Sequence, residues 1–568
     1  MNAGQIIAET LKLYDIDHFF SLTGQDQELW IGLRNAGIKY ILPHSERAAV
    51  AMADAYSRLT GKPSFTYGQF GPGAAVCIGG IVDAYWGQSP VICITSSTDS
   101  SKLYRYNYQG IEDQQSMFQA LTKWNALVPN IERLPDMLRT AIRMSVSGVP
   151  GPVHLDIPLE LTYRSKLDLK EPELYAQQEF TKYPAFRASP GVEDIEKAID
   201  VVKKAKRPLI LAGGGVVASE AWNELIDFAE KLLIPVVTSS GGKGSIATNH
   251  PLAVGGIGNY SRKVANDVAA ECDVCVVVGS NLGDHTTKQR QALNPKSKLI
   301  HIDIDSRVFG SSYREAMNVV GDAKLTLKAM TDAIEASAVN KEGCPWGDWV
   351  KKVQSMVKLW NAAFQKKASN YGIENAINPY YIIQCLNKIL GPDDIVVADT
   401  GYQGAYGNAC VEIKAPGRKY LRTSGSLGWG FPASLGAQCA VKKNGRVICL
   451  TGDGGFGYHV SDIETAVRNN LPVIVVLLNN STLGFEYHSQ KFAYNDVVSV
   501  VNDFSEVDYG AVAKGFGAYG EKIRKPEEVD GALKRAIDSG KPAVLDFTTD
   551  REQYGPVASW EAIEAREV

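Results

Sequence analysis

No apolar run in this chain of 568 residues approaches the length of a membrane-spanning helix, which takes about 20 residues. Neither sign of charge dominates: 59 lysines and arginines stand against 63 aspartates and glutamates, a net charge of −4. A nucleic-acid or anionic-membrane partner asks for a basic excess, so neither is expected. Cysteine is sparse, nine residues in all and scattered, with Cys93, Cys275 and Cys449 inside apolar runs. That speaks against a disulfide framework and makes a reducing cytoplasm the expected location. Cys272-Asp-Val-Cys275 has metal or redox spacing, but it leads into the apolar run Val274–Val278 and reads as core. Residues Met1 to Leu11 read as an amphipathic helix and lack the pattern of a secretory signal.

What the chain does have is alternation. Charged residues make up 21% and hydrophobic residues 45%, an ordinary globular balance. The length asks for about three cores. Short strand-like runs alternate with helical patterns through residues 1–165, 190–336 and 375–550, followed by a polar tail at 551–568. Ser165–Pro190 reads as a linker, and the partly charged Ser337–Ser369 as a second. In the first unit a helix over Ala48–Thr60 stops at Gly61, and Gly71-Pro72-Gly73 opens another. His154 lies in a strand and reads as a core histidine with its hydrogen bonds satisfied. In the second unit Pro208–Ala212 runs into Gly213-Gly-Gly215, and Leu299–Asp305 is a further strand. The expectation is an α/β fold of three Rossmann-like parallel-sheet domains.

The most informative stretch is Thr451 to Asn480. Val447–Leu450 and Leu471–Leu478 are continuous apolar runs, the pattern of central parallel strands. Between them lie Gly452-Asp453-Gly454-Gly455 and a helical segment, Ser461–Asn470. Strand, glycine turn, helix and strand form a βαβ unit. The turn offers free N–H groups to a diphosphate. A hard cation held by diphosphate needs further oxygen ligands, which Asp453, the amide oxygen of Asn480 and the carbonyl of Thr482 can supply. Both strands end on the same sheet edge, where such sheets bind ligands. A lone Gly-Asp-Gly is as readily an ordinary turn; the Asn479-Asn480 pair at this spacing is what favours a site.

These motifs resemble the signature of thiamine-diphosphate (ThDP) enzymes, Gly-Asp-Gly followed some 25 residues later by Asn-Asn. The resemblance spans essentially the whole chain and is nearest to the acetolactate-synthase-like branch, which includes oxalyl-CoA decarboxylase and 2-hydroxyacyl-CoA lyase. It implies a pyrimidine-binding, a middle and a diphosphate-binding domain. It implies that Asp453, Asn480 and Thr482 hold Mg²⁺ (or Ca²⁺) beneath the cofactor's diphosphate. It places Gly401, Tyr402 and Gln403 at a second phosphate-contacting strand end, and Gly452, Gly454, Gly455, Leu483, Gly484 and Phe485 around the turn. Gly425 and Leu427 fall on the segment over which the cofactor bends. Glu46, in Leu42-Pro-His-Ser-Glu46, matches the carboxylate set against the aminopyrimidine, and Pro72 the loop approaching from the other domain. Gln109, after Tyr108, matches an aromatic-glutamine pair that contacts substrate, although counting back from Lys123 shifts the register onto Gly110. The resemblance also implies a homodimer or homotetramer with each site shared between subunits.

The chain departs from acetolactate synthases in two pocket stretches. Leu22-Thr-Gly24-Gln25-Asp26-Gln27-Glu28 replaces a glycine-rich loop, and Leu483-Gly484-Phe485-Glu486-Tyr487-His488 lacks the usual glutamine-tryptophan pair. Glu486 is a third catalytic candidate, placed to handle a hydroxyl proton during C–C cleavage. In the middle unit Gly279-Ser-Asn281-Leu-Gly-Asp-His285 lacks both arginines of the flavin pattern, which speaks against FAD. An ADP or CoA group is the alternative, with Asp303 and Asp305 for a ribose and Lys243 and Lys263 for phosphates. The expected activity is C–C lysis or ligation through a carbanion/enamine at the cofactor's C2. The first choice is 2-hydroxyacyl-CoA lysis to an aldehyde or ketone plus formyl-CoA. Acetolactate synthesis or another 2-oxo-acid carboligation, a C–C hydrolase of cyclic diketones, and a non-catalytic scaffold stand as alternatives.

Overall fold

The computed structural model describes residues 1–165, 167–336, 345–441, 445–494 and 500–560. The first sheet comprises β1 (His18–Ser21), β2 (Lys39–Ile41), β3 (Ser64–Gly68), β4 (Val91–Ser97), β5 (Asn125–Leu127) and β6 (Val153–Pro158), in the order β2-β1-β3-β4-β6-β5. The second comprises β7 (Pro208–Ala212), β8 (Val236–Thr238), β9 (Ala253–Gly256), β10 (Val274–Val278), β11 (Lys298–Asp303) and β12 (Met317–Val320), in the order β12-β11-β10-β7-β8-β9. A small antiparallel pair, β13 (Gly372–Ile373) and β14 (Ala376–Ile377), precedes the third sheet. That sheet holds β15 (Ile395–Ala398), β16 (Tyr420–Arg422), β17 (Val447–Gly452), β18 (Ile474–Asn479), β19 (Tyr519–Ile523) and β20 (Ala543–Thr548), in the order β16-β15-β17-β18-β20-β19. All neighbours in the three large sheets pair in parallel. The fold is therefore α/β, with three parallel-sheet units.

Helices cover both faces, which is why β17 and β18 read as unbroken apolar runs and are buried throughout. Each unit has its own core, and the first and third units share a further one. Helix Glu46–Thr60 of the first packs on helix Gly430–Ala440 of the third. The approach is close: a Cβ on Gly436 would lie 2.0 Å from the carbonyl oxygen of Met52. Alanines along the first helix, and glycines and alanines along the second, permit it.

One expectation about a connecting segment is corrected. Within the supposed linker Ser337–Ser369, residues Gly347–Ala368 form a helix of 22 residues. Trp349, Val350 and Val353 recur at helical spacing and are buried against the middle unit, and the Trp349 indole donates to the carbonyl of Pro208. The polar tail is anchored by its few apolar residues: Val557 bridges to Tyr260, and Trp560 packs on Phe485 and Phe492. Its helix-like end, from residue 561 on, lies outside the described residues. His154 is the expected core histidine: Nδ1 meets Asn125 Oδ1 and Nε2 meets Thr95 Oγ1, and burial lowers its pKa to about 3. Cys272 and Cys275 are buried. Among the described residues no helix is long and apolar enough to cross a membrane.

Candidate active site

The register of the third sheet brings the turn and the asparagine together. Thr451 pairs with Leu477 and Gly452 with Leu478, so Asp453 and Asn480 emerge at one edge from adjacent strands. Asp453 opens the short helix Asp453–Gly457, is 5% exposed, and its Oδ2 has no hydrogen-bond partner. Burial pushes its carboxyl up to about 7, although the backbone N–H groups of Gly454 and Asn480 oppose this. A buried carboxylate oxygen without a partner is costly, and a cation there removes the cost. The residues present thus fit a bound cation. Asn479 is structural, donating to Asp546 Oδ1 and the carbonyl of Val507. The side-chain oxygen of Asn480 accepts from the N–H of Thr482 (3.3 Å). Thr482 is held by its hydroxyl, which donates to the carbonyl of Asn502.

The neighbouring strand ends close around the turn. Gly401, with φ +72°, precedes helix Tyr402–Ala409 and needs glycine's freedom. The Gln403 amide sits where a Cβ on Gly452 would meet its Nε2 at 2.5 Å. Leu483 covers the turn, 2.7 Å from a Cβ placed on Gly454. The rings of buried Tyr402 and half-buried Phe485 pack on each other beside the turn. Phe485 also meets Tyr260, and Tyr402 meets His488. Glu486 is exposed in the first turn of helix Gly484–Ala493. Gly425 (φ +152°) and half-buried Leu427 lie on the segment after β16.

Glu46 begins helix Glu46–Thr60, one residue after its Ser45 cap. It is half-buried, and burial raises its pKa. Its Oε1 would lie 3.0 Å from a Cβ on Gly73, so a larger residue there would push the Glu46 carboxylate aside. Pro72 is exposed at the first turn of helix Pro72–Trp86. Gln109, with φ +63°, accepts from Gln69 Nε2 at 3.2 Å, and its carbonyl packs on Gly71. The structure therefore gathers Glu46, Pro72 and Gln109 around Gly71–Gly73, and gathers Asp453, Asn480, Thr482 and Gln403 around the glycine turn. Among the described residues no hydrogen bond or ion pair joins Glu46 to that turn.

Two buried groups escaped the sequence reading. Asp399, at the end of β15, accepts from Thr400 N–H (2.8 Å), Gly428 N–H (3.1 Å), Gly430 N–H (3.3 Å) and the Thr451 hydroxyl (3.0 Å). It ties the Gly401, Leu427 and Asp453 segments together. Gln114 accepts from Gly71 N–H and donates to Thr95, Ser96 and Asp156 behind the Gly71 loop. A lone polar residue in an irregular stretch carries no periodic signal, although Asp399 at a strand end beside Thr400-Gly401 was open to notice.

In the middle unit a cavity of about 320 Å³ opens at the carboxyl ends of β7, β10 and β11, reaching the other two units. Asp303 and Asp305 line it, together with Arg418 and Arg422. Lys243 does not serve it: its ammonium is buried and donates to the carbonyls of Asn408 and Val411, where burial lowers its pKa to about 7. Lys263 pairs with Asp267 on its own helix.

Fold and strand-end geometry together define an α/β protein of three parallel-sheet units, with a glycine turn and a buried carboxylate at the edge of the third. Family models agree in three pieces: the N-terminal TPP binding domain of thiamine pyrophosphate enzymes over residues 1–117, the central domain over 195–330, and the C-terminal TPP binding domain over 399–547. The chain is 31% identical over 565 residues to a probable acetolactate synthase large subunit of Methanococcus aeolicus, covering 97% of this chain and 92% of that one. It is 30% identical over 566 residues to the corresponding protein of Methanocaldococcus jannaschii, covering 98% and 93%. It is 26% identical over 553 residues to acetolactate synthase isozyme 2 large subunit of Escherichia coli, covering 97% and 96%. The chain belongs to the thiamine pyrophosphate enzymes, in their acetolactate-synthase-like branch, and as such forms or cleaves C–C bonds with thiamine diphosphate.

Proposed function

We propose that this protein is a ThDP- and Mg²⁺-dependent carboligase of a 2-oxo acid, with a pocket unlike that of acetolactate synthases. The observation that carries the cofactor part is the partnerless buried oxygen of Asp453 at the glycine turn. Asp453, Asn480 and the Thr482 carbonyl hold the cation. Gln403 and the backbone of Gly452–Gly455 orient the diphosphate. When bound, ThDP supplies a nucleophilic carbon and an electron sink for carbonyl substrates. Glu46, with its pKa raised by burial, would hold a proton for the cofactor's aminopyrimidine. Leu427 props the cofactor by shape. Gln109 and Glu486 face the substrate. The relatives' names favour 2-oxo-acid carboligation over the other activities.

A second reading, 2-hydroxyacyl-CoA lysis to formyl-CoA, keeps two supports. The Glu486 carboxylate stands exposed in the first turn of its helix, and the middle cavity carries Asp303 and Asp305 for a ribose. Self-association completes the site: helix Pro72–Trp86 leaves Pro72, Ala75, Val76 and Gly79 exposed beside Glu46, and Trp86 is 64% exposed. A second copy covering that face would bring its own glycine turn to Glu46. The test is incubation with ThDP, Mg²⁺ and either pyruvate or a 2-hydroxyacyl-CoA. Acetolactate or another ligated product from pyruvate supports the first reading. Formyl-CoA release with no turnover of pyruvate replaces it with the second.

A further inference from the structure

The segment that carries Leu427 has few bonds of its own: the Thr423 hydroxyl accepts from Gly425 N–H at 3.0 Å and lies 3.3 Å from the Ser426 carbonyl, which Trp429 N–H reaches at 3.4 Å. It has no regular structure between β16 and helix Gly430–Ala440, and it includes Gly425 at φ +152° and Gly428 at φ +90°. Ser424 and Gly425 are exposed. In its own unit Asp399 holds the far end, through the N–H groups of Gly428 and Gly430, and the Ala398 carbonyl accepts from Thr423 N–H at 3.4 Å. The shorter bonds at the near end and the middle come from the first unit. Asp83, 1% exposed on helix Pro72–Trp86, accepts from the Thr423 hydroxyl at 2.7 Å and from Ser424 N–H at 2.9 Å. Arg58, locked by two bonds of 2.8 Å to buried Asp54, donates to the carbonyls of Arg422 and Asp83. The Trp429 indole donates to the same Asp54. Arg47 donates to the carbonyl of Leu427 itself at 2.7 Å.

We propose that Asp83, Arg58 and Arg47 are positioning residues that fasten the Leu427 segment, so that the first unit fixes the height of the apolar prop in the diphosphate site of its own chain. Asp83 is the key member, because one buried carboxylate oxygen fixes both the backbone and the side chain at the segment's entry. Without it Ser424 N–H loses its acceptor and the Thr423 hydroxyl keeps only the Ser426 carbonyl at 3.3 Å, at a cost that a glycine-rich segment escapes by moving. Resting on the shared-site reading above, the arrangement has a consequence. Glu46 serves one site of a dimer, while Arg47, the next residue on the same helix, holds the prop of the other. Helix Glu46–Thr60 then links the two.

The experiment is amide hydrogen exchange on the protein without cofactor, followed by ThDP titration in Mg²⁺. Asp83→Ala should speed exchange across 424–429 by about tenfold or more, while β17 keeps its protection. ThDP affinity should fall by about tenfold, in line with one lost buried hydrogen-bond acceptor. Asp83→Asn keeps an acceptor oxygen and should restore most of both. Unchanged exchange across 424–429 in a folded Asp83→Ala protein overturns the proposal. If that variant does not fold, Arg47→Met takes its place: exchange must rise around Leu427–Gly428, and an unchanged rate there is equally fatal. Exchange is read without cofactor, so failure of the unmodified protein to bind ThDP would sink the cofactor-site reading and leave the fastening independently decided.

Discussion

The first and third sheets share one strand order, yet their matching strand ends carry different groups. After the first strand of each stand Gly24-Gln25-Asp26 and Gly401-Tyr402-Gln403. After the second stand Glu46 and the Leu427 segment, and after the third Gly71-Pro72-Gly73 and Asp453-Gly454-Gly455. After the fourth come Gln109, well along its loop, and Asn480 with Thr482. On the reading proposed above, the third unit collects N–H groups and oxygen ligands for a diphosphate and its cation. The first collects half-buried Glu46, buried Asp26 and amide side chains, which that reading gives to a heterocycle and a carbonyl substrate. One topology sets where groups emerge; local residues decide what they bind. The middle sheet, with its different order, is a control: it bears neither set.

Each half of this comparison can be broken separately. The largest effect is expected from Glu46→Gln, which should lower turnover by about 100-fold to 10,000-fold while ThDP still binds. Steady-state rates beside calorimetric titration check it, and normal turnover would remove Glu46 from the chemistry. Asp453→Asn should do the reverse, weakening ThDP and Mg²⁺ binding by more than about 100-fold, since a direct ligand matters at least as much as its supports.

Asp453 also predicts a pH dependence. Its carboxyl has a reference pKa of 3.8 and rises to about 7 in the fold, so between these values the folded state keeps a proton that the unfolded state releases. The contribution is fully present below about pH 4 and lost as pH rises to about 7. In chelator, urea unfolding at pH 5 and pH 8 should therefore show Asp453→Asn gaining stability relative to the unmodified protein at the higher pH, on the order of 2–4 kcal/mol. An equal difference at both pH values contradicts the buried, partnerless carboxylate. In the control unit, Trp349→Ala should cost about 3–5 kcal/mol of stability and leave ThDP affinity unchanged. The smallest effect is assigned to Gly484→Ala. Its Cβ would come within 2.8 Å of Asn480 Nδ2, so affinity should drop only several-fold as that amide shifts.

The diphosphate half of the site was legible because phosphate binding demands backbone approach, and backbone approach demands glycine at fixed spacing. Gly452–Gly455 and Asn480 therefore announce themselves, and buried β17 and β18 announce the sheet. Glu46 was legible only through family resemblance, since a glutamate after a serine cap is also an ordinary helix start. The rings of Tyr402 and Phe485 pack on each other, a direction that spacing does not encode. Asp399, Gln114, Asp83 and Arg47 act across long stretches of sequence, so no local pattern marks them. The helix Gly347–Ala368 was missed although Trp349, Val350 and Val353 carry its period, because charged residues between them gave the stretch the composition of a linker.

The most direct test of the central claim is calorimetric titration of ThDP into the chelator-treated protein with Mg²⁺, run beside Asp453→Asn and Glu46→Gln. Saturable binding by the unmodified protein and by Glu46→Gln, lost in Asp453→Asn and lost again when Mg²⁺ is withheld, is the predicted result. Equal binding by Asp453→Asn, or binding indifferent to the cation, would contradict the site assigned to the glycine turn.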